Sequence, residues 1–277
     1  MTEPYIIAEI GSNCFHSENM NRNIDCAFDQ ICSAAEADAD AVKFQFYTAA
    51  ELWGPECKGQ LFATEQDKYA MPESWLGQLL ECCVLEGVDF LCTAFSVAGY
   101  RKVNRYVHMH KVASPEMDFE PIMEYVKGRN KQVMYSMGCC IRTPVHEGII
   151  MECVSRYPAD PSHYNLSGTK NIADVCSLQW GISDHTYGNQ LARTARSMGA
   201  EYFEKHVDFH PEGLKTPDSG VSISGMDFIK YVEAIRSQDV IDYHAIKRDS
   251  HKLYGRNPTT GFRPWPGNKS GRLIHEQ

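Results

Sequence analysis

AVKFQF, residues 41–46, is an apolar run of strand length that carries a lysine and a glutamine. Seven more runs of similar length recur along the chain: Tyr5–Ile10, Val88–Thr93, His108–Ala113, Gln132–Met137, Ile149–Val154, Cys176–Ile182 and Glu201–His206. Strands buried on both faces of a parallel sheet read as near-continuous apolar runs of this kind. The segments between them have a period near 3.6. Ile24, Ala27, Phe28, Ile31, Ala34 and Ala35 share one face; Trp75, Leu76, Leu79, Leu80 and Cys83 share another. Leu191, Ala192, Ala195 and Met198 form a third stripe, which Gly199 is placed to end. Phe228, Ile229, Val232 and Ile235 form a fourth, with Ser224 and Asp227 spaced as its N-terminal cap. Eight strands alternating with helices predict an α/β fold, a single-domain (β/α)8 TIM barrel over residues 1–240. An open doubly wound sheet is the alternative. Residues 241–277, rich in Pro, Gly and Arg, read as an irregular C-terminal tail.

The 277-residue length suits one barrel of roughly 250 residues. A net charge of −9 argues against nucleic acid as a main partner, because phosphate backbones need a basic surface. A small anion in a local basic pocket remains compatible with it. No run approaches the roughly 18 apolar residues that span a bilayer, and MTEPYIIAEIG lacks the basic start of a secretory signal. The expected location is the cytoplasm. The 11 cysteines include adjacent pairs at 82–83 and 139–140 but no C-x-x-C, which fits reduced thiols; a structural zinc site is the alternative.

A barrel displays its chemistry at the C-terminal ends of its strands. Glu9, Gly11, Asn13, Lys43, Gln45, Thr93, Lys111, Ser114, Glu116, Ser136, Gly138, Ser155, Arg156, Tyr157, Ser183, Asp184, His185, Glu204, Lys205 and His206 all fall in or just after the runs. Two lysines with several hydroxyls make an anion site. Two histidines on neighbouring strand ends can share a divalent metal. Glu9 can serve as acid or base, or simply neutralise Lys43.

The ordered motifs IAEIGSN (7–13), DAVKFQ (40–45), CTAF (92–95), KVASPE (111–116), SMG (136–138), ECVSRYP (152–158), GISDHTYG (181–188), EKH (204–206) and PDSGVS (217–222) resemble the barrel domain of the sialic acid synthase family. The resemblance covers residues 5–237. It implies condensation of phosphoenolpyruvate (PEP) with a sugar-like aldehyde, an N-acylhexosamine or related aldose, to give a 2-keto-3-deoxy acid and phosphate. It implies Lys43, Thr93, Lys111, Ser114, Ser136 and Ser183 as the PEP set, and Gln45, Glu116, Ser155, Tyr157 and Asp218 as the acceptor set. It implies Glu9 as the catalytic carboxylate, and His185 and His206 as ligands of a catalytic Mn2+ or Mg2+ that would polarise the aldehyde.

The sequence departs from the family pattern mainly at the mouth. It has Asn13-Cys14-Phe15-His16 for N-H-x-G, CTAFS for S-T-P-F-D, Met137 within S-T-G, Glu152 for a histidine, Ser155 for an asparagine and Ser219 for a histidine. The family's C-terminal antifreeze-like domain, which supplies an arginine to a partner's site, is expected to be missing. Its place is left to a homodimer or a separate accessory chain, with Arg256, Arg263 and Arg272 in the tail as substitutes for the arginine. Two other readings stay open from the same residues. One is a different metal-dependent barrel aldolase or lyase, with Lys43 or Lys111 forming a Schiff base. The other is a non-catalytic homologue that binds PEP or sugar.

Overall fold

The computed structural model describes residues 2–54, 58–138 and 145–237. Eight parallel strands alternate with helices along the chain: β1 Tyr5–Glu9, β2 Ala41–Phe46, β3 Asp89–Ala94, β4 Met109–Val112, β5 Gln132–Ser136, β6 Ile149–Cys153, β7 Gln179–Asp184 and β8 Tyr202–Asp208. A two-residue strand, β9 Ile223–Ser224, extends beside the end of β8. Ladders join the strands in the order β3-β2-β1-β8-β7-β6-β5-β4. β3 and β4 lie side by side, but no ladder pair joins them among the described residues. The result is a nearly closed (β/α)8 barrel, as the strand runs predict. The tail from residue 238 on, with Arg256, Arg263 and Arg272, lies outside the described residues, as does Cys139.

Nine helices of at least five residues surround the strands in the described chain: α1 Met20–Glu36, α2 Ala49–Trp53, α3 Leu61–Asp67, α4 Trp75–Glu86, α5 Val97–Val103, α6 Glu120–Lys127, α7 Leu166–Cys176, α8 Gln190–Ser197 and α9 Gly225–Arg236. Local chemistry sets their ends. Ser224 accepts a hydrogen bond from the Asp227 N–H at the start of α9, as its spacing predicts. Gly199, just beyond α8, takes φ +92°, where a side chain would be strained. The seventh strand differs from its predicted bounds. Cys176 is the last residue of α7 and Ser177 its left-handed cap, so β7 starts at Gln179 and runs on to Asp184. Between β5 and β6, no described residue is helical, and the buried Val145 packs into the core there.

Strand alternation separates two cores. One phase points into the barrel, where Ile7, Ala41, Leu91, Met109, Met134, Ile149 and Met151 form an apolar plug. The opposite phase, including Ile6, Val42, Phe90, Val112, Ile150 and Phe203, packs against the helices in the larger core. β7 and β8 approach so closely at Gly181 that a Cβ there would lie 2.0 Å from the Tyr202 carbonyl oxygen. The plug is what positions the site. Two residues further along each strand, the inward phase delivers Glu9, Lys43, Thr93, Lys111, Ser136, Cys153, Ser183, Glu204 and His206 to one end of the barrel.

Candidate active site

These side chains line a cavity of about 330 Å³ at the C-terminal mouth. Its floor is a buried charge network. Lys43 Nζ lies 2.6 Å from Glu9 Oε2 and 3.6 Å from Glu204 Oε2, and donates to Thr93 Oγ1 at 3.2 Å. Lys111 Nζ donates to Glu204 Oε1 at 3.1 Å, and Ser183 Oγ donates to the same oxygen at 2.8 Å. Burial alone would raise the Glu204 pKa, but Lys111 and Lys43 outweigh it and hold the carboxyl well below its ordinary range. Burial alone would lower the Lys43 pKa, but Glu204 and then Glu9 hold its ammonium above the ordinary range. Two cations and two carboxylates therefore share one desolvated floor.

At the mouth, His185 and His206 stand with ring centroids 5.4 Å apart. His185 Nδ1 lies 2.7 Å from the Val154 carbonyl oxygen. That oxygen can only accept, so Nδ1 carries the proton and Nε2 presents its lone pair. Burial and then His206 push the His185 pKa down to about 3, which keeps the ring neutral. Nε2 is 3.3 Å from Ser183 Oγ, whose only proton serves Glu204 at the shorter distance. Two electron-rich atoms thus face each other. His206 Nδ1 lies 3.5 Å from Asp218 Oδ1, while Asp218 Oδ2 accepts from the Ser12 N–H at 2.7 Å and the Ser12 hydroxyl at 2.6 Å. Tyr157 stacks on His185 at 4.2 Å and meets His206 edge-on at 5.7 Å.

Every residue of the PEP set lines this cavity, as do Glu9, Gln45, Tyr157, His185, His206 and Asp218. Gln45 donates to Glu9 Oε1 at 2.8 Å. Glu116 and Ser155 do not line the cavity. Glu116 is buried in a 3₁₀ turn after β4, and Ser155 Oγ lies 2.5 Å from Ser114 Oγ, behind the lining. Glu152 takes the outward phase of β6, accepting from the Asn165 N–H at 2.7 Å and from the Thr169 hydroxyl, so it anchors the start of α7 and does not reshape the mouth. Cys14 is buried, and burial pushes its thiol pKa up. Two features have no assigned role in the sequence reading. One is Glu204, the shared partner of both lysines. The other is an apolar wall of Tyr47, Leu52, Trp53 and Phe95, much of it from α2 and the turn before it.

The model of the NeuB family matches residues 30–243. The chain belongs to the NeuB family. It is 26% identical to the pseudaminic acid synthase of Helicobacter pylori, with 84% of this chain and 74% of that protein aligned. It is 27% identical to the N,N'-diacetyllegionaminic acid synthase of Legionella pneumophila, covering 86% and 72% of the two chains. Among solved structures, the Bacillus subtilis spore coat polysaccharide biosynthesis protein SpsE superposes with a TM-score of 0.74 at 28% identity, covering 92% of this chain and 74% of that one. This NeuB-family protein is therefore sialic acid synthase-like, as its ordered motifs imply. No helix among its described residues is long and apolar enough to cross a membrane.

Proposed function

We propose that this NeuB-family protein condenses PEP with a sugar-like aldehyde, an N-acylhexosamine or related aldose, releasing phosphate and a 2-keto-3-deoxy acid of the nonulosonic type. One observation carries the reading. Ser136 Oγ is buried without a hydrogen-bond partner, Glu204 Oε2 and His206 Nδ1 have only long ionic contacts, at 3.6 Å to Lys43 and 3.5 Å to Asp218, and all three residues line the same cavity. Buried polar atoms are normally satisfied at hydrogen-bond distance, so this under-satisfied cluster marks the place of a polar ligand.

Lys43 and Lys111 supply the charge for the phosphate and carboxylate of PEP, and Thr93, Ser114, Ser136 and Ser183 supply short hydrogen bonds. C3 of PEP forms the new bond to the aldehyde carbon, whose oxygen takes up a proton from solvent. Water adds to the cation left at C2 and gives one proton to Glu9; the C2–O bond to phosphate then breaks as the new C2 hydroxyl gives its remaining proton to the departing phosphate, leaving the ketone. Gln45 holds Glu9 in place. Tyr157 and Asp218 face the acceptor, and Ser155 acts through Ser114.

The neutral His185 imidazole, the neighbouring His206 ring and the adjoining lone pair of Ser183 fit a divalent cation such as Mn2+ or Mg2+. Among the described residues, no three His, Cys, Asp or Glu side chains form a ligand cluster, so water or substrate oxygens would complete its shell. When bound, such a cation supplies Lewis acidity at the aldehyde oxygen. A Schiff base at Lys43 is disfavoured, because Glu204 and Glu9 keep its nitrogen protonated. A cytoplasmic biosynthetic role fits this chemistry.

The test is phosphate release from PEP with Mn2+ and a panel of N-acylated hexosamines and simple aldoses. Acceptor-dependent release is expected. Release no faster than the no-acceptor control across the panel would overturn the reading, and a borohydride-trapped keto-acid adduct would favour the aldolase chemistry.

A further inference from the structure

His185 is held at every polar atom except Nε2, and the segment that holds it is the loop between β6 and α7. Nδ1 is taken by the Val154 carbonyl. The His185 carbonyl accepts from the Ala159 N–H at 2.9 Å. The His185 N–H donates to the Tyr164 hydroxyl at 2.8 Å, and that hydroxyl donates to the Ser183 carbonyl at 3.1 Å. A single oxygen therefore bridges the backbone on either side of Asp184, at the turn where Ser183 and His185 both face the cavity. Tyr164 is fully buried and does not line the cavity. It sits immediately before Asn165, whose N–H is pinned by Glu152.

We infer that Tyr164 is a positioning residue: its hydroxyl fixes the end of β7 so that His185 Nε2 and Ser183 Oγ converge on one point. The inference rests on the reading of His185 and His206 as metal ligands. Groups that orient a ligating histidine from behind typically govern metal affinity by 10–100-fold. Tyr164→Phe deletes the bridging oxygen and keeps the ring. It removes the partner of the His185 N–H and one hydrogen bond from the Ser183 carbonyl, so the turn relaxes and Nε2 drifts.

The experiment is Mn2+ titration of the wild-type protein and of Y164F, read by the electron spin resonance of free Mn2+ well below either melting temperature, with PEP affinity measured separately without metal. The expected result is wild-type binding, roughly tenfold or greater loss in Y164F, and a smaller loss of PEP affinity, since Ser183 is one of six groups on that ligand. A role confined to packing would lower the melting temperature and leave Mn2+ affinity alone. Equal Mn2+ affinity in the two proteins would overturn the inference while leaving the metal reading intact. Failure of the wild-type protein to bind Mn2+ would overturn that reading and the inference with it. Should Y164F not fold, hydrogen exchange on the wild-type protein decides. A His185 amide as protected as the β7 ladder amides is expected, and one exchanging like an exposed loop overturns the bridge.

Discussion

Lys43 Nζ sits 2.6 Å from Glu9 Oε2, with both side chains sealed from solvent at the floor of the mouth. Glu9 therefore has two partners, Lys43 and Gln45, that fix its orientation before any substrate arrives. Replacing Glu9 by Gln removes the base but leaves Lys43 paired with Glu204. Turnover should fall about a hundredfold or more, in the range that general-base removal costs. PEP affinity should hold or improve, since the floor gains one net positive charge. Phosphate-release kinetics and calorimetric PEP binding check this; turnover within threefold of wild type would remove Glu9 from the role.

Two buried lysines in opposite strand phases should respond differently. Lys111 points inward to Glu204, whereas Lys205 points outward, 3.2 Å from Asp184 and donating to the Thr186 carbonyl. Lys205 is fully buried, so Lys205→Met leaves an unpaired carboxylate in the core and should cost about 3–5 kcal/mol in a denaturant titration. At low temperature its PEP affinity should survive. Lys111→Met should weaken PEP binding about tenfold or more, the loss of a hydrogen bond to a charged group. Equal loss of PEP affinity in both variants would contradict this division.

Gly11 has φ +52°, and a Cβ on it would lie 2.4 Å from Asp218 Oδ2 and 2.8 Å from Gln45 Nε2. Gly11→Ala combines left-handed strain of roughly 1–2 kcal/mol with displacement of Asp218. Acceptor KM should rise several-fold at little change in PEP KM. A variant whose acceptor KM equals that of the wild type would show that Asp218 does not touch the acceptor.

His110 lies on the outward phase of β4, with Nε2 3.0 Å from Asn104 Oδ1. Burial, then Lys131 and Arg129, push its pKa from 6.5 down to about 4. Between those values the unfolded chain binds a proton that the folded chain refuses, so stability is lost as pH falls from 6.5 toward 4. The upper limit is about 3 kcal/mol, reduced by solvent screening. His110→Phe should flatten this limb of the stability–pH curve. An unchanged slope in the variant would show that other groups carry it.

Polar residues embedded in apolar strand runs made the mouth legible, because a lysine or glutamate survives in such a run only where it meets a partner or a ligand. Strand phase sorts these residues further. Counting in twos from Lys43, Lys111 or His206 separates Glu204, which faces the cavity, from Lys205 and Glu152, which face the helices. Glu204 also had an electrostatic signal, since two lysines in one desolvated floor require more than one carboxylate. Glu116 and Ser155 fell behind the lining because a 3₁₀ turn and a loop, unlike strands, do not preserve the alternation. The wall of Tyr47, Leu52, Trp53 and Phe95 had no signal, since apolar residues beyond a strand end look like any packed loop.

The open seam between β3 and β4 has a mechanical consequence. Thr93, next to last in β3, lies on one side of it and Lys111, next to last in β4, on the other, and the PEP set straddles the gap, with Lys43 and Thr93 on one arc and Lys111 and Ser114 on the next. A bound PEP bridging both arcs would act as a rivet across the barrel's weakest join. Amides flanking the seam, rather than those of the β1–β8 ladder, should then gain the most exchange protection when the anion is added.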